Sequence, residues 1–460
     1  MRAPAKRSTS TYALVWLLAL AALAAIAGDR LSQPSRNNHF VHLADGWLHG
    51  RLSLEHEPPG WRKGRADDWA RVWTVELASG ETFRGQRCRT TPCRDQEQAS
   101  RVRTWWTTTG EFVVTPRRDI VDQHATWYVS FPPGPALLML PGVAWLGLDF
   151  PDVAFTVVLA AFIPVLLLWG CDRVRGPSQE HLWMAAAFAL GSPACFVAAN
   201  GSVWFTAQIA AALGLTVFLA CAWQLRWPAA AGLALAFATA CRPHLALAAG
   251  LFGVIWWRGG RSWPSALRFA IPLMLGCTAL AALNLARFDD PLEFGHRYLE
   301  IRWQQRMQEV GLFSPRYLGR NLTCLLVLWP QWHGGTWPLR VSIHGLGLLW
   351  TTPWLLWAAT HRHRFHGRSA VWLASLALAI PSLLYHNSGQ LQFTYRFALD
   401  WLPIVLWAMV LGGAFRSRGV KIAITFAIVV QLGGAWLFTH APRKLFVREP
   451  VGWPFEAEFE

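Results

Sequence analysis

Three places in this chain set a charged group among apolar residues, and each could do chemistry. The first is Asp45, in His39-Phe-Val-His-Leu-Ala-Asp-Gly-Trp-Leu-His-Gly-Arg51. A carboxylate near apolar surface has its charged form disfavoured, and a nearby arginine such as Arg51 opposes that. Such an aspartate, with His42 beside it, can act as a general base toward an acceptor hydroxyl; it can equally cap a helix or pair with Arg51. The second is Arg242, in Ala238-Thr-Ala-Cys-Arg-Pro-His244. A guanidinium within an apolar stretch is usually paired or functional. Pro243 breaks the stretch into two short helices and sets Arg242 at their junction. There it can hold a phosphate bidentately or reach the interface along its own alkyl stem. The third is Tyr385-His-Asn-Ser-Gly-Gln-Leu-Gln-Phe-Thr-Tyr-Arg-Phe-Ala-Leu-Asp400, which concentrates the amide of Gln392, hydroxyls and the guanidinium of Arg396. An Arg396–Asp400 pair four residues apart is one expectation, and polar groups lining a cavity at the mouth of a span are the other.

Composition says what scaffold holds these groups. Of 460 residues, 53% are hydrophobic and 15% charged, against about 25% charged in a soluble globular protein. Apolar runs of bilayer-spanning length recur. Trp169, Trp227, Trp256, Trp257 and Trp401 fall near their ends, where an amphipathic ring favours the membrane interface. The fold class expected is an all-α polytopic membrane protein of about 11 spans. They are placed at 12–28, 153–170, 181–199, 203–223, 229–242, 244–257, 269–286, 341–360, 369–385, 398–414 and 421–438. The basic start followed by Ala25-Ile-Ala27 resembles a signal peptide with its cleavage site, but the apolar run is long for one, so a retained first helix is expected.

The formal charge is 42 − 27 = +15. Its cations gather in short loops: Arg2, Lys6 and Arg7; Arg173 and Arg175; Arg226; Arg258 and Arg261; His361–Arg368; Arg416, Arg418 and Lys421. Counting helices between them assigns all of these loops, with the N-terminus, to the cytoplasm. No nucleic-acid motif accompanies the charge, so membrane lipids rather than nucleic acid are the expected anionic partners.

Two long segments then face outward, 29–134 and 287–340, followed by a C-terminal tail at 439–460. The second outer segment carries Arg287, Arg297, Arg302, Arg306, Arg316 and Arg320 beside Asp289, Asp290, Glu293, Glu300 and Glu309. It reads as an ion-paired amphipathic helix on the membrane, or as a site for an anionic ligand. In the first segment, alternating runs around Ser79-Gly80 and Gly110 predict two hairpins, a small β-rich insertion at about 69–116. Cys88 and Cys93 lie within it and are disulfide candidates in an oxidising compartment. Stretch 135–152, opened by prolines, is expected to be interfacial or re-entrant. No GxxxxGK[ST], HExxH, GxSxG or DxD pattern occurs, and the eight cysteines show no metal-ligand spacing. Asn200-Gly-Ser and Asn321-Leu-Thr match the glycosylation pattern but abut apolar runs.

The Asp45 segment, followed by Val129-Ser-Phe-Pro-Pro-Gly-Pro135, resembles bacterial GT-C membrane glycosyltransferases. These use polyprenyl-phosphate sugars and are related to protein O-mannosyltransferases and lipid A aminoarabinose transferases. Further similar stretches are Ala240-Cys-Arg-Pro243, Asn284-Leu-Ala-Arg-Phe-Asp-Asp-Pro-Leu-Glu-Phe-Gly-His296 and Gln390-Leu-Gln-Phe-Thr-Tyr-Arg-Phe-Ala-Leu-Asp-Trp-Leu-Pro403. The resemblance implies a multi-span bundle in the bacterial cytoplasmic membrane. It implies a lipid-linked sugar donor as substrate, no cofactor, and an extracytoplasmic glycan, lipid or protein acceptor. Asp45 would be the base, with Arg242, Arg297 and Arg396 binding the departing phosphate and His296 assisting. The chain departs from the pattern in two ways. Asp45 has no adjacent acid, since Glu55 and Glu57 come only later, and the β-rich insertion is not a general feature of the family. The competing expectation is a non-catalytic membrane protein, or a transporter or flippase of lipid-linked saccharides. A transporter predicts internal repeats and ionisable residues near the midplane, whereas the polar groups here cluster toward one face.

Overall fold

A computed structural model describes residues 7–59, 68–301, 303–332, 339–360 and 368–447. Arg2, Lys6, Arg302, nearly all of the basic loop 361–368 and the tail beyond 447 lie outside the described residues. The chain is mostly helical with a small antiparallel sheet, and it divides into two compact units.

The helical unit comprises Met1–Arg36, Pro151–Met274 and Pro315–Glu460. Among the described residues, five helices are long and apolar enough to cross a membrane: Thr9–Ser32, Asp152–Arg175, Ser202–Leu225, Trp263–Phe288 and Arg418–His440. A sixth span arises if Gln179–Ala189 and Ala194–Asn200, bent by 51° at Gly191–Pro193, count as one. These helices are compatible with a multi-pass membrane protein. Helices Pro228–Cys241, Arg368–Leu384 and Leu402–Leu411 are apolar but shorter.

The expected span at 341–360 is not a helix. It opens with strand Leu339–Ser342, turns, and continues as the short helices Leu348–Thr351 and Leu356–Thr360. Gly345 adopts φ +83°, and a Cβ at Gly347 would lie 2.4 Å from the Leu326 carbonyl oxygen. The backbone therefore turns where continuous helix was expected, and Thr352-Pro353 divides the two helical pieces. The expected span at 244–257 likewise begins as 3-10 helix, Pro243–Ala248, before Ala249–Arg258.

The basic loops meet at one end of this unit. Asp172, at the end of Asp152–Arg175, accepts Arg7 through Nε at 2.6 Å and Nη2 at 3.1 Å. The Tyr12 hydroxyl donates to it at 2.9 Å, and His181 Nδ1 lies 2.6 Å away. Arg175 donates to the carbonyls of Val410 and Leu411, capping helix Leu402–Leu411, where a cation suits the exposed helix carbonyls. Arg416 pairs with Glu180 at 3.0 Å. At the opposite end Arg30 binds Asn200, and Asp152 accepts the Ser35 amide and hydroxyl at 2.6 and 2.5 Å. Helix Pro228–Cys241 runs from the basic end and delivers Arg242 to the far one. Asn200 and Asn321 are buried and hydrogen-bonded to backbone carbonyls, which leaves them structural rather than open to glycosylation.

The sheet unit comprises Asn37–Phe150 and Leu275–Ser314. Its five strands are β1 (Trp69–Leu77), β2 (Thr82–Arg87), β3 (Val102–Thr107), β4 (Phe112–Pro116) and β5 (Ile120–Val129), in the order β4-β3-β2-β1-β5. Both expected hairpins form, turning at Gly80 (φ +84°) and Gly110 (φ +90°), conformations that glycine adopts without steric cost. Strand β5 lies beyond the expected insertion and pairs with β1 along its whole length. Helix Thr91–Ala99 is inserted between β2 and β3, and Cys88 and Cys93 are joined by a disulfide. Fully buried Trp105 anchors the sheet, with Trp73 and Phe83 edge-on to it and its indole N–H donated to Thr115 Oγ1 at 2.9 Å. Ala70, Val72, Tyr128, Phe288 and Tyr298 form a second core cluster.

Candidate functional site

Asp45 lies on helix His39–Leu48. Six of that helix's residues are buried: His39, Phe40, Val41, Leu43, Ala44 and Gly46. Asp45 itself points partly to solvent. Arg51 Nη2 lies 3.7 Å from Asp45 Oδ2, while Arg51 Nη1 is 2.7 Å from Glu55 Oε2. One guanidinium thus links Asp45 with a second acid, Glu55, which sequence spacing had left apart. His49 Nδ1 adds a contact at 3.6 Å from Asp45 Oδ1. His42 packs edge-on to Trp69, and His39 stacks on the same indole at 3.8 Å. Burial lowers the His42 pKa, with Asp45 partly opposing it, so His42 is neutral at neutral pH. His42, Leu43, Gly46, Arg51 and Val129 line a small hollow. A partly exposed carboxylate held this way can accept a proton from a hydroxyl brought within hydrogen-bond reach.

The other candidates of the sheet unit follow helix Trp263–Phe288. Glu293 accepts the amides of Gly295 at 2.6 Å and Arg297 at 3.4 Å, and its other oxygen meets Arg297 Nε at 3.3 Å. Burial raises the Glu293 pKa, and Arg297 counters part of that. The Arg297 side chain is 56% exposed, so its remaining donors face outward. His296 lies edge-on to Phe131 at 5.4 Å. Residues 287–314 do not form the single amphipathic helix that was one expectation. They run through the 3-10 turn His296–Tyr298 into the short helix Gln304–Val310. Several acids of this segment pair with sheet arginines: Asp289 with Arg84 at 2.8 Å and Glu300 with Arg71 at 2.9 Å. Arg287 is wholly buried and donates to the Val129 carbonyl and to Asn284 Oδ1.

In the helical unit the centre is Asp400, whose side chain is 0% exposed. Arg242 Nη2 donates to its Oδ2 at 2.7 Å, Arg242 Nε lies 2.7 Å from Oδ1, and His244 Nε2 is 3.1 Å from Oδ2. Pro243 accounts for the delivery of both side chains. The residue before proline is pushed out of the helical region, and Arg242 is extended at φ −147°, ψ 102°. Residues 396–400 form a 3-10 helix, whose pitch does not stack positions four apart. Asp400 thus takes its ion partners from Arg242 and His244, where an Arg396–Asp400 pair had been expected. Arg396 is buried, its guanidinium 5.1 Å from the Phe205 ring centre and 5.2 Å from that of Phe397. Gln392 holds the loop: its amide donates to the carbonyls of His344 and Ser388 at 2.8 Å each and accepts the Arg396 N–H at 3.2 Å.

The candidates therefore form two groups. Asp45, His42, Arg51, His296 and Arg297 belong to the sheet unit, and Arg242, Gln392, Arg396 and Asp400 to the helical unit. Glu55 had been named only as an acid too far along to partner Asp45, and His244 lay within a quoted stretch without being singled out. The signal for Glu55 was its four-residue spacing from Arg51, and for His244 its place directly after Pro243. Among the described residues no three His, Cys, Asp or Glu side chains gather as a metal site. Compared with families of known proteins, with curated proteins and with solved structures, the chain gives no match.

Proposed function

We propose that this chain is a GT-C-like membrane glycosyltransferase with about 11 membrane passes once its shorter and broken apolar helices are counted. In this reading a sugar passes from a polyprenyl phosphate to an extracytoplasmic acceptor. The acceptor oxygen attacks the anomeric carbon and its proton goes to Asp45. The bond to the phosphate oxygen breaks with its electrons, releasing polyprenyl phosphate, and one displacement inverts the anomeric carbon. Arg297, in the sheet unit with Asp45, is the cation for the departing phosphate, and Arg242 and Arg396 of the helical unit are independent candidates for holding a phosphate, since preplaced positive charge favours its release. Asp45 carries the reading: its carboxylate is open to solvent and shares Arg51 with Glu55.

The test is release of polyprenyl phosphate from polyprenyl-phosphate hexoses by the purified full-length protein in lipid. Asp45→Asn is expected to abolish release while the protein stays folded. A wild-type protein with no turnover across the donor panel would sink the proposal. The second reading, a non-catalytic membrane protein or a carrier of lipid-linked saccharides, draws on Arg242. An arginine already paired with buried Asp400 has a sufficient structural role, and retained donor binding without turnover would support that reading. We place the protein in the bacterial cytoplasmic membrane with a cytoplasmic N-terminus. Reporter fusions after Arg175 and Ser100 test this, and a cytoplasmic signal at Ser100 would overturn it.

A further inference from the structure

Helix Asp152–Arg175 carries one outward stripe that changes character toward the basic end. Phe162 is 44% exposed. Val165 and Leu166 follow half-buried, then Trp169, then exposed Arg173. Positions 162, 165, 166, 169 and 173 share a helix face. The order along it is apolar, aromatic, cationic. Trp169 stacks parallel to Trp227 with ring centres 5.9 Å apart. The Arg173 guanidinium lies 4.9 Å from the first ring centre and 4.7 Å from the second. Arg226 approaches Trp227 from the next loop at 5.3 Å.

Arg173 and Arg226 make no salt bridge and donate no hydrogen bond among the described residues, whereas Arg7, Arg175 and Arg416 at the same end are all engaged. Arg258, Arg261, Arg418 and Lys421 of the basic loops also lack ion-pair partners among the described residues; what separates this cluster is the stacked pair of indoles that Arg173 covers and Arg226 flanks. The loop presenting Arg226 is also strained. Gln224 and Leu225 stand at φ +61° and +53° in succession, a conformation that costs side-chain-bearing residues energy and persists only where surroundings enforce it. Gly259 leaves room for the Leu225 side chain, since a Cβ there would lie 2.8 Å from Leu225 Cδ1.

We infer that Trp169, Arg173, Arg226 and Trp227 form a binding site for the headgroup of an anionic glycerophospholipid in the leaflet at the basic end. The planar donors of the two guanidiniums match a phosphate. The indoles hold Arg173 in place by cation–π contact, and the acyl chains lie along Leu166 and Phe162. The inference depends on the membrane character of the helices and not on the proposed transferase reaction.

The experiment measures lipid affinity of the purified full-length protein in neutral detergent by native mass spectrometry. Phosphatidylglycerol, phosphatidylcholine and inorganic phosphate are titrated separately. A juxtamembrane cation contributes about fivefold in affinity, so Arg173→Ala with Arg226→Ala is expected to lower phosphatidylglycerol affinity about 25-fold. Arg226→Gln alone, in an exposed turn, provides the same reading at about fivefold should the double variant fail to fold. Arg118→Ala, an exposed arginine of the sheet unit, is expected to change nothing. Equal binding of phosphatidylcholine, inorganic phosphate competing as well as the lipid, or equal loss in Arg118→Ala each overturns the inference.

Discussion

Arg242→Met offers the sharpest test of the helical unit. The perturbed carboxylate, Asp400, is fully buried, with two Arg242 nitrogens at 2.7 Å and His244 at 3.1 Å. Taking Arg242 away leaves a buried charge with only an imidazole beside it. Breaking a buried ion pair from one side costs roughly 3–5 kcal/mol. Replacing both partners by apolar groups of similar volume is neutral or stabilising by roughly 1–4 kcal/mol. The single variants Arg242→Met and Asp400→Leu should therefore each be destabilised, while the double variant returns to wild-type stability or exceeds it. Denaturing-detergent titration of the purified protein, followed by circular dichroism, gives the four corners of the cycle. A cost below about 1 kcal/mol for Arg242→Met, or a double variant as unstable as the singles, would refute the reasoning. The stable double variant then serves a second purpose, because it reports whether donor binding needs Arg242 without the confusion of unfolding.

Three further outcomes are expected. Because burial lowers the His42 pKa, the unfolded chain takes up this proton before the folded one does. The group adds no pH dependence above about pH 6.5 and weakens the fold as pH falls below it. His42→Phe should flatten that acid limb of a stability–pH profile, and an unchanged slope would contradict it. Trp105→Ala removes the fully buried centre of the sheet and should cost roughly 3–5 kcal/mol, read as a lower unfolding midpoint. Gln208 is buried in helix Ser202–Ala222 with neither amide atom hydrogen-bonded among the described residues. Gln208→Leu should therefore raise stability by roughly 1–3 kcal/mol, and a lower melting temperature would show that the amide has a partner.

Much of the scaffold was readable because it follows local rules. Alternation around Ser79-Gly80 and Gly110 dictated both hairpins, and the apolar runs dictated the long helices. What escaped depends on distant contacts. Strand β5 carries Asp122, Gln123 and His124 in its middle, as an exposed edge strand can, so it shows no apolar alternation there. The run at 341–360 is apolar enough for a span, but Gly345 and Gly347 let its backbone pack closely against residues 326 and 392. For the candidate site, sequence put Asp400 near its local neighbour Arg396. Its ion partners lie 156 and 158 residues away in the chain, a distance no local pattern encodes. Asp45 and Glu55 are a different case: both lie within six residues of the Arg51 they share, so that link was open to a local reading.

The grip of Asp172 on Arg7 has a consequence for how the protein is made. The two residues are 165 positions apart, and a ribosome adding 5–20 residues per second needs roughly 10–30 s to bridge them. Throughout that interval Arg7 stays without the carboxylate it binds in the finished fold. All five strands of the sheet are synthesised within the same window. Arg7 is thus an open bracket while the strands emerge. Asp172 closes the bracket from the side where Arg7 has been waiting.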